Sequence, residues 1–199
     1  MRRILSIMDD NFYFFKPIYS VDFKYLAQCS EIVLLFNKAI DETFTLDLQK
    51  IRDLINQRPN MSIIGITNKS IVQHSIEVHH MIDILFNNLI QNNVKNILVK
   101  KQSNLYRNAV ENAFININEK NKYIHFLKNK EYKYKITYKY NFLFIFQNKL
   151  TGILLQILFV GLTITVGDIE KKLLSVRDKD KKYYKIFINS IEIIEPLKE

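Results

Sequence analysis

Histidines and a carboxylate crowd "HSIEVHH" at 74–80, the first stretch whose side chains could hold a metal ion. The zincin spacing, two histidines four apart on one helix face, is absent among His74, His79 and His80, which on a helix point different ways. Glu77 and His80 stand three apart, as in a bundle di-metal motif, yet no second Glu-x-x-His exists and the remaining histidine is His125. His79 therefore reads as a packed side chain, and no metal is expected. Glu131-Tyr132-Lys133 on a strand resembles the acid-and-lysine end of a metal-dependent nuclease, but Mg²⁺ needs a second carboxylate, and Asp83 sits on a helix. Asp178 and Asp180 lack the glycine and closing glutamate of a calcium loop. Gly65, Gly152, Gly161 and Gly167 stand alone, so there is no glycine-rich phosphate loop, and no serine nucleophile elbow is present. The sequence does not read as an enzyme, and no cofactor or small-molecule substrate is expected.

The basic residues offer different chemistry. In "NNVKNILVKKQSNLYRNAVENAF" (92–114) a short apolar strand runs into Lys100-Lys101, and Arg107 follows at the opening of an amphipathic helix. A helix N-terminus carries exposed N–H groups and the positive end of the dipole, which suit phosphate. Asn104 would cap that helix or donate to a backbone oxygen. Lys133, Lys135 and Lys139 share one face of a later strand and would line up cations for RNA or DNA. The alternative is a solvated lysine face. Lysine and arginine total 29 against 20 acids, net +9, but six arginines leave the excess to lysine. Ile, Asn, Lys, Phe and Tyr, all with AT-rich codons, are abundant, so genomic bias supplies lysines as readily as function does.

These groups need elements to position them. With 199 residues, 48% hydrophobic and 13% aromatic, the chain can bury a substantial core. One cysteine, Cys29, excludes an internal disulfide framework. "MRRILSIMDDNF" turns acidic too early for a signal peptide or presequence. The run "GILLQILFVGLTITVG" (152–167) is about four residues short of a membrane-spanning helix and contains Gln156, so it reads as buried strand and no membrane is expected. A helix is expected from Ser20 to about Ile40, although "EIVLLFN" (31–37) would equally suit a buried strand, and another is expected over 46–57, stopped by Pro59. Strand 62–67, a long helix from Asn68 or Ser70 to Asn92, strand 94–100 and a helix to Phe114 make a βαβα unit with a partly parallel sheet. From Tyr132 to Phe146 every even position is apolar and the odd ones begin Glu, Lys, Lys, Thr, Lys, Asn. That alternation predicts a strand, with a bend near Asn141 because of its length, and its aromatic face reads as core. Strands at 153–159 and 162–166, a helix at 168–175 and a last strand from Tyr183 complete a β-rich end.

The middle of the chain resembles the small-subunit ribosomal protein eleven family (bacterial numbering). "LLFNKA" (34–39) is similar to that family's Phe-Asn-Asn-Thr turn at Phe36 and Asn37, departing at Lys38 and Ala39. "NNVKNILVKK" resembles its Gly-Ile-Lys-Asn strand at Lys95 and Asn96, and Arg107 with Ala113 and Phe114 falls at its arginine and helix. Its glycine-rich loop becomes "KKQSNLYR" without glycines, the closing Pro-His-Asn-Gly segment is absent, and the likeness ends near residue 125. The resemblance implies an α/β fold (α+β overall) with an RNase-H-like mixed sheet, an RNA-binding domain over 1–125 and a β-rich C-terminal extension over 126–199. It implies a structural, non-catalytic protein of a small ribosomal subunit in a mitochondrial or other organellar matrix, else the cytoplasm, with ribosomal RNA and neighbouring ribosomal proteins as partners. Asn37, Lys38, Lys100, Lys101, Asn104 and Arg107 would contact RNA, with Lys133, Lys135 and Lys139 adding charge. A metal-dependent nuclease using Glu131 and Lys133, or a protein-interaction module, are the alternatives.

Overall fold

The computed structural model describes residues 14–93, 100–114, 123–127, 135–148, 151–167 and 181–198. Strands β1 (Lys16–Ser20), β2 (Ser62–Ile76), β3 (Ile124–Leu127), β4 (Lys135–Gln147), β5 (Leu154–Gly167) and β6 (Lys182–Pro196) form one sheet. Its order is β1-β4-β5-β6-β2, with β3 also beside β4. The long strands β4, β5 and β6 lie antiparallel at the centre; β1 joins β4 in parallel. Four α-helices accompany them among the described residues: α1 (Leu26–Asn37), α2 (Leu48–Asn56), α3 (Val78–Asn93) and α4 (Lys100–Asn112).

The period-two pattern of β4 sets the layering. Its even side chains, Tyr138, Tyr140, Phe142, Phe144 and Phe146, are buried with Val78, Leu85, Tyr106 and Val110 of α3 and α4. Its odd side chains Leu143 and Ile145 join Ile157, Phe159 and Ile191 beneath Cys29, Ile32 and Phe36 of α1 and Ile51 of α2. A sheet apolar on both faces must be covered on both faces, so each helical pair supplies one outer layer. Local signals fix the helix ends: Asp47 accepts the Lys50 N–H at 2.9 Å, and α2 stops before Pro59. At the far end of β6, the Gln28 amide of α1 donates to the Pro196 carbonyl at 2.8 Å and accepts from the Lys198 N–H at 3.0 Å.

The expected mixed α+β class is present, built on a single sheet. The expected parallel βαβ unit is not. β2 continues as strand to Ile76, where a helix was expected from residue 68, and its neighbour is β6, antiparallel. Ile71 explains the difference: it fits the helical spacing of Val78, Ile82, Leu85 and Leu89, yet its branched side chain pairs across the sheet with Ile186. Ser75, with φ 55, helps the chain leave the sheet before α3 starts. Of the strand expected at 94–100, residues 94–99 lie outside the described residues and Lys100 opens α4. β4 does not break at Asn141; it pairs with β5 along its whole length. The two strands expected at 153–159 and 162–166 are one, passing through Gly161 without a turn. The helix expected at 168–175 lies outside the described residues.

Candidate functional site

The predicted cation cluster does not assemble as a strand-to-helix grip. Lys100 and Lys101 form the first turn of α4, Asn104 is an exposed helical residue rather than its cap, and Arg107 lies in mid-helix. The Arg107 guanidinium donates to Asp83 of α3 and, at 3.1 Å, to Glu111 one turn on, and it lies 5.4 Å from the Phe86 ring centre. The hydrogen bond to Asp83 raises its pKa further against the opposing effect of burial, and the charges of Asp83 and Glu111 add to the rise. Arg107 ties α3 to α4. Asn37 ends α1 and its side-chain oxygen accepts the Phe14 N–H at 3.2 Å, while Lys38 is exposed beyond it. Lys133 and Glu131 lie outside the described residues.

Lys135 and Lys139 do share a face of β4, about 13 Å apart along the strand. Lys135 is exposed, 5.2 Å from the Tyr183 ring centre. Lys139 donates to the Thr43 carbonyl at 2.8 Å and to both Thr43 and Thr45 hydroxyls. It thereby pins the loop between α1 and α2 onto the sheet. That loop is built by Asp41, whose carboxylate accepts the N–H groups of Thr43 and Thr45, both at 2.8 Å. Phe44 is left-handed there, with φ 58. Buried Asn141 donates to the Phe44 carbonyl at 3.0 Å, and Leu46 approaches Gly161 so closely that an added Cβ would meet it at 2.9 Å.

The histidines also differ from expectation. Glu77, His79 and His80 gather at the start of α3, with ligand atoms all within 4.8 Å of one another. His79 Nδ1 lies 3.3 Å from Glu77, and the two imidazoles are 3.9 Å apart between centres. These three could hold a divalent ion after side-chain rotation, since zinc draws its ligand atoms to about 3.3–3.6 Å of each other. His74 stands apart, against Tyr183.

The sequence marks the middle of the sheet as buried strand and not as a site. From Leu154 to Gly167, β5 carries no charged residue, and every one of its side chains from Leu155 to Leu162 is buried. A buried polar cluster sits on the α4 side: Gln156 Nε2 donates to Glu192 at 2.7 Å, while Gln156 Oε1 and the Tyr106 hydroxyl have no hydrogen-bond partner among the described residues. Burial pushes the Glu192 carboxyl up, against the opposing Gln156 hydrogen bond. Burial likewise raises Tyr106, with the Glu192 charge adding to it. On the other face Glu195, almost wholly buried, receives the Arg58 Nε–H at 2.6 Å, and Arg58 also reaches Glu31 at 3.2 Å.

The profile of the Bacillus thuringiensis toxin family matches residues 2–199. The chain belongs to that toxin family. It is similar to the Type-2Bb cytolytic delta-endotoxin of Bacillus thuringiensis subsp. jegathesan, 26% identical over 199 residues, covering 97% of this chain and 74% of that protein. The Type-2Ba cytolytic delta-endotoxin of subsp. israelensis is 26% identical over 189 residues, covering 92% and 70%. The activated Cyt2Ba monomer from subsp. israelensis superposes with a TM-score of 0.81 at 25% identity, covering 93% of this chain and 99% of that one. A solved delta-endotoxin shares the fold at TM-score 0.87 and 20% identity, covering 100% and 88%. Membership of this toxin family overturns the ribosomal resemblance and the structural role in a ribosomal subunit. Ribosomal RNA and ribosomal proteins as partners, and the organellar matrix as location, fall with it, as do the nuclease and interaction-module alternatives. The likeness rested on short matches: "LLFNKA" closes helix α1, and Arg107 lies inside α4 rather than at its opening.

Proposed function

We propose that this toxin-family chain lyses cells by placing its central strands in a lipid bilayer. The carrying observation is the uncharged β5 between β4 and β6, hydrogen-bonded on both sides and sheathed by helices on both faces. Its relatives' names, cytolytic delta-endotoxins, support the same reading. Among the described residues no helix is long and apolar enough to cross a membrane. Strands need less length: about 9–11 residues suffice when tilted. β4, β5 and β6 have 13, 14 and 15. The Tyr, Phe, Leu and Ile side chains that face α3 and α4 in water would face acyl chains instead, exchanging one apolar contact for another.

Hydrocarbon leaves no unpaired backbone group satisfied, so the inserted strands must close into a barrel, with several copies contributing. Lysis of this kind needs no covalent chemistry from the protein. The test is release of a trapped dye from phospholipid vesicles, alongside circular dichroism to establish that the added protein is folded. Release within minutes of mixing is expected; folded protein that leaves vesicles sealed at high protein-to-lipid ratio would overturn the proposal.

A further inference from the structure

Only Glu77 separates β2 from α3, at one border of the sheet. Its carbonyl accepts the Met81 N–H at 3.1 Å, so the first helical turn begins on it. Val78, Met81 and Ile82 are buried, which leaves His79 half-exposed and His80 exposed on the outer side of that turn. A histidine kept for packing would lie with the buried set. Neighbouring positions on a helix project about 100° apart. Even so, the two imidazoles lie 3.9 Å apart between centres, and each offers a nitrogen within 4.8 Å of a Glu77 carboxylate oxygen.

The donor set decides the kind of ion. Two imidazole nitrogens and one carboxylate oxygen suit zinc and its first-row neighbours, whereas calcium and magnesium take mainly oxygen ligands and more of them. Metal–ligand bonds of about 2.0–2.1 Å put two ligand atoms of a tetrahedral zinc about 3.3–3.6 Å apart. His79 Nδ1 and Glu77 are already 3.3 Å apart, so one edge of the tetrahedron is in place. His80, being exposed, can rotate to the third corner. Asp83, one turn beyond His79, is not part of the set, because it receives the Arg107 guanidinium. The positive end of the α3 dipole opposes a cation here, and the Glu77 carboxylate offsets it. We infer that Glu77, His79 and His80 bind one zinc-class divalent ion, with water in the fourth position. The ion fixes residues 77–80 just beyond Ser75, whose φ of 55 marks where the chain leaves the sheet, and stabilises the folded chain by mass action. This site stands independently of the bilayer reading.

The experiment is titration of the folded full chain with Co²⁺, read by visible absorption, followed by displacement with Zn²⁺. One ion per chain is expected, with the intense bands of four-coordinate cobalt, unaffected by excess Mg²⁺ and abolished by urea. Glu77→Gln, His79→Ala and His80→Ala should each weaken binding about tenfold or more. His74→Ala, which alters the histidine against Tyr183, should bind as the parent does. Zn²⁺ should raise the melting temperature of the parent and of His74→Ala but not of His80→Ala, which without metal should melt with the parent because His80 is exposed. The pale spectrum of octahedral cobalt, bands that survive in urea, or affinity unchanged by Glu77→Gln or by His80→Ala would refute the site.

Discussion

Arg107 carries its charge in the middle of α4, where two carboxylates already face it. A sequence shows that an arginine is present but not which acids stand opposite, so a cation that neutralises Asp83 looks the same as one that waits for phosphate. Lys139 is a second case: its row with Lys135 was legible from alternation, its bonds to Thr43 and Thr45 were not, because the loop that supplies them is 94 or more residues away in sequence. Arg58 is the residue whose removal should be felt most. Arg58→Ala leaves Glu195 buried without its cation, and breaking such a pair costs about 3–5 kcal/mol, which urea denaturation would register as a lower midpoint. Glu192 predicts a pH dependence of known sign. Its folded pKa lies above the unfolded carboxyl value of about 4.3, so its contribution is fully present below that pH and is lost as pH rises through the folded value. Glu192→Gln should therefore melt higher than the parent in alkaline buffer and close to it in acid.

At the level of elements, the amphipathic helix α2 and the alternation of β4 can be read directly, because each contains a complete period, whereas the apolar run of α1 at 31–37 suits a buried strand equally well. β2 could not: its branched residues suit helix spacing and strand pairing alike, and β6, which decides between them, begins more than a hundred residues later. β5 was split in the reading at Gly161, where glycine serves a close approach rather than a turn. Gly161→Val should destabilise by about 1–3 kcal/mol, since Leu46 and Asn141 stand where its side chain must go, and a chemical denaturation curve would show it. Cys29 offers a probe of the α1/α2 layer. Burial pushes its thiol up to about 12, so a thiol reagent should leave the folded protein unmodified. If that layer lifts from the sheet on lipid, vesicles should make Cys29 reactive while the protein in buffer alone stays inert; equal protection in both would place the movement elsewhere.

For the molecule as a whole, the α+β class was legible and the activity was not. The run at 152–167 is too short for a membrane-spanning helix, yet the same residues exceed what a tilted strand requires. A net charge of +9 was weighed toward nucleic acid because charge has no address until the fold distributes it. The sheet's two borders are unlike, β2 along one side and β1 with β3 along the other. Copies meeting border to border would join head to tail, so a ring appears after several such encounters, not one. The kinetics should carry that signature: a lag before leakage, an initial rate climbing more steeply than the first power of dose, and near silence below a threshold concentration.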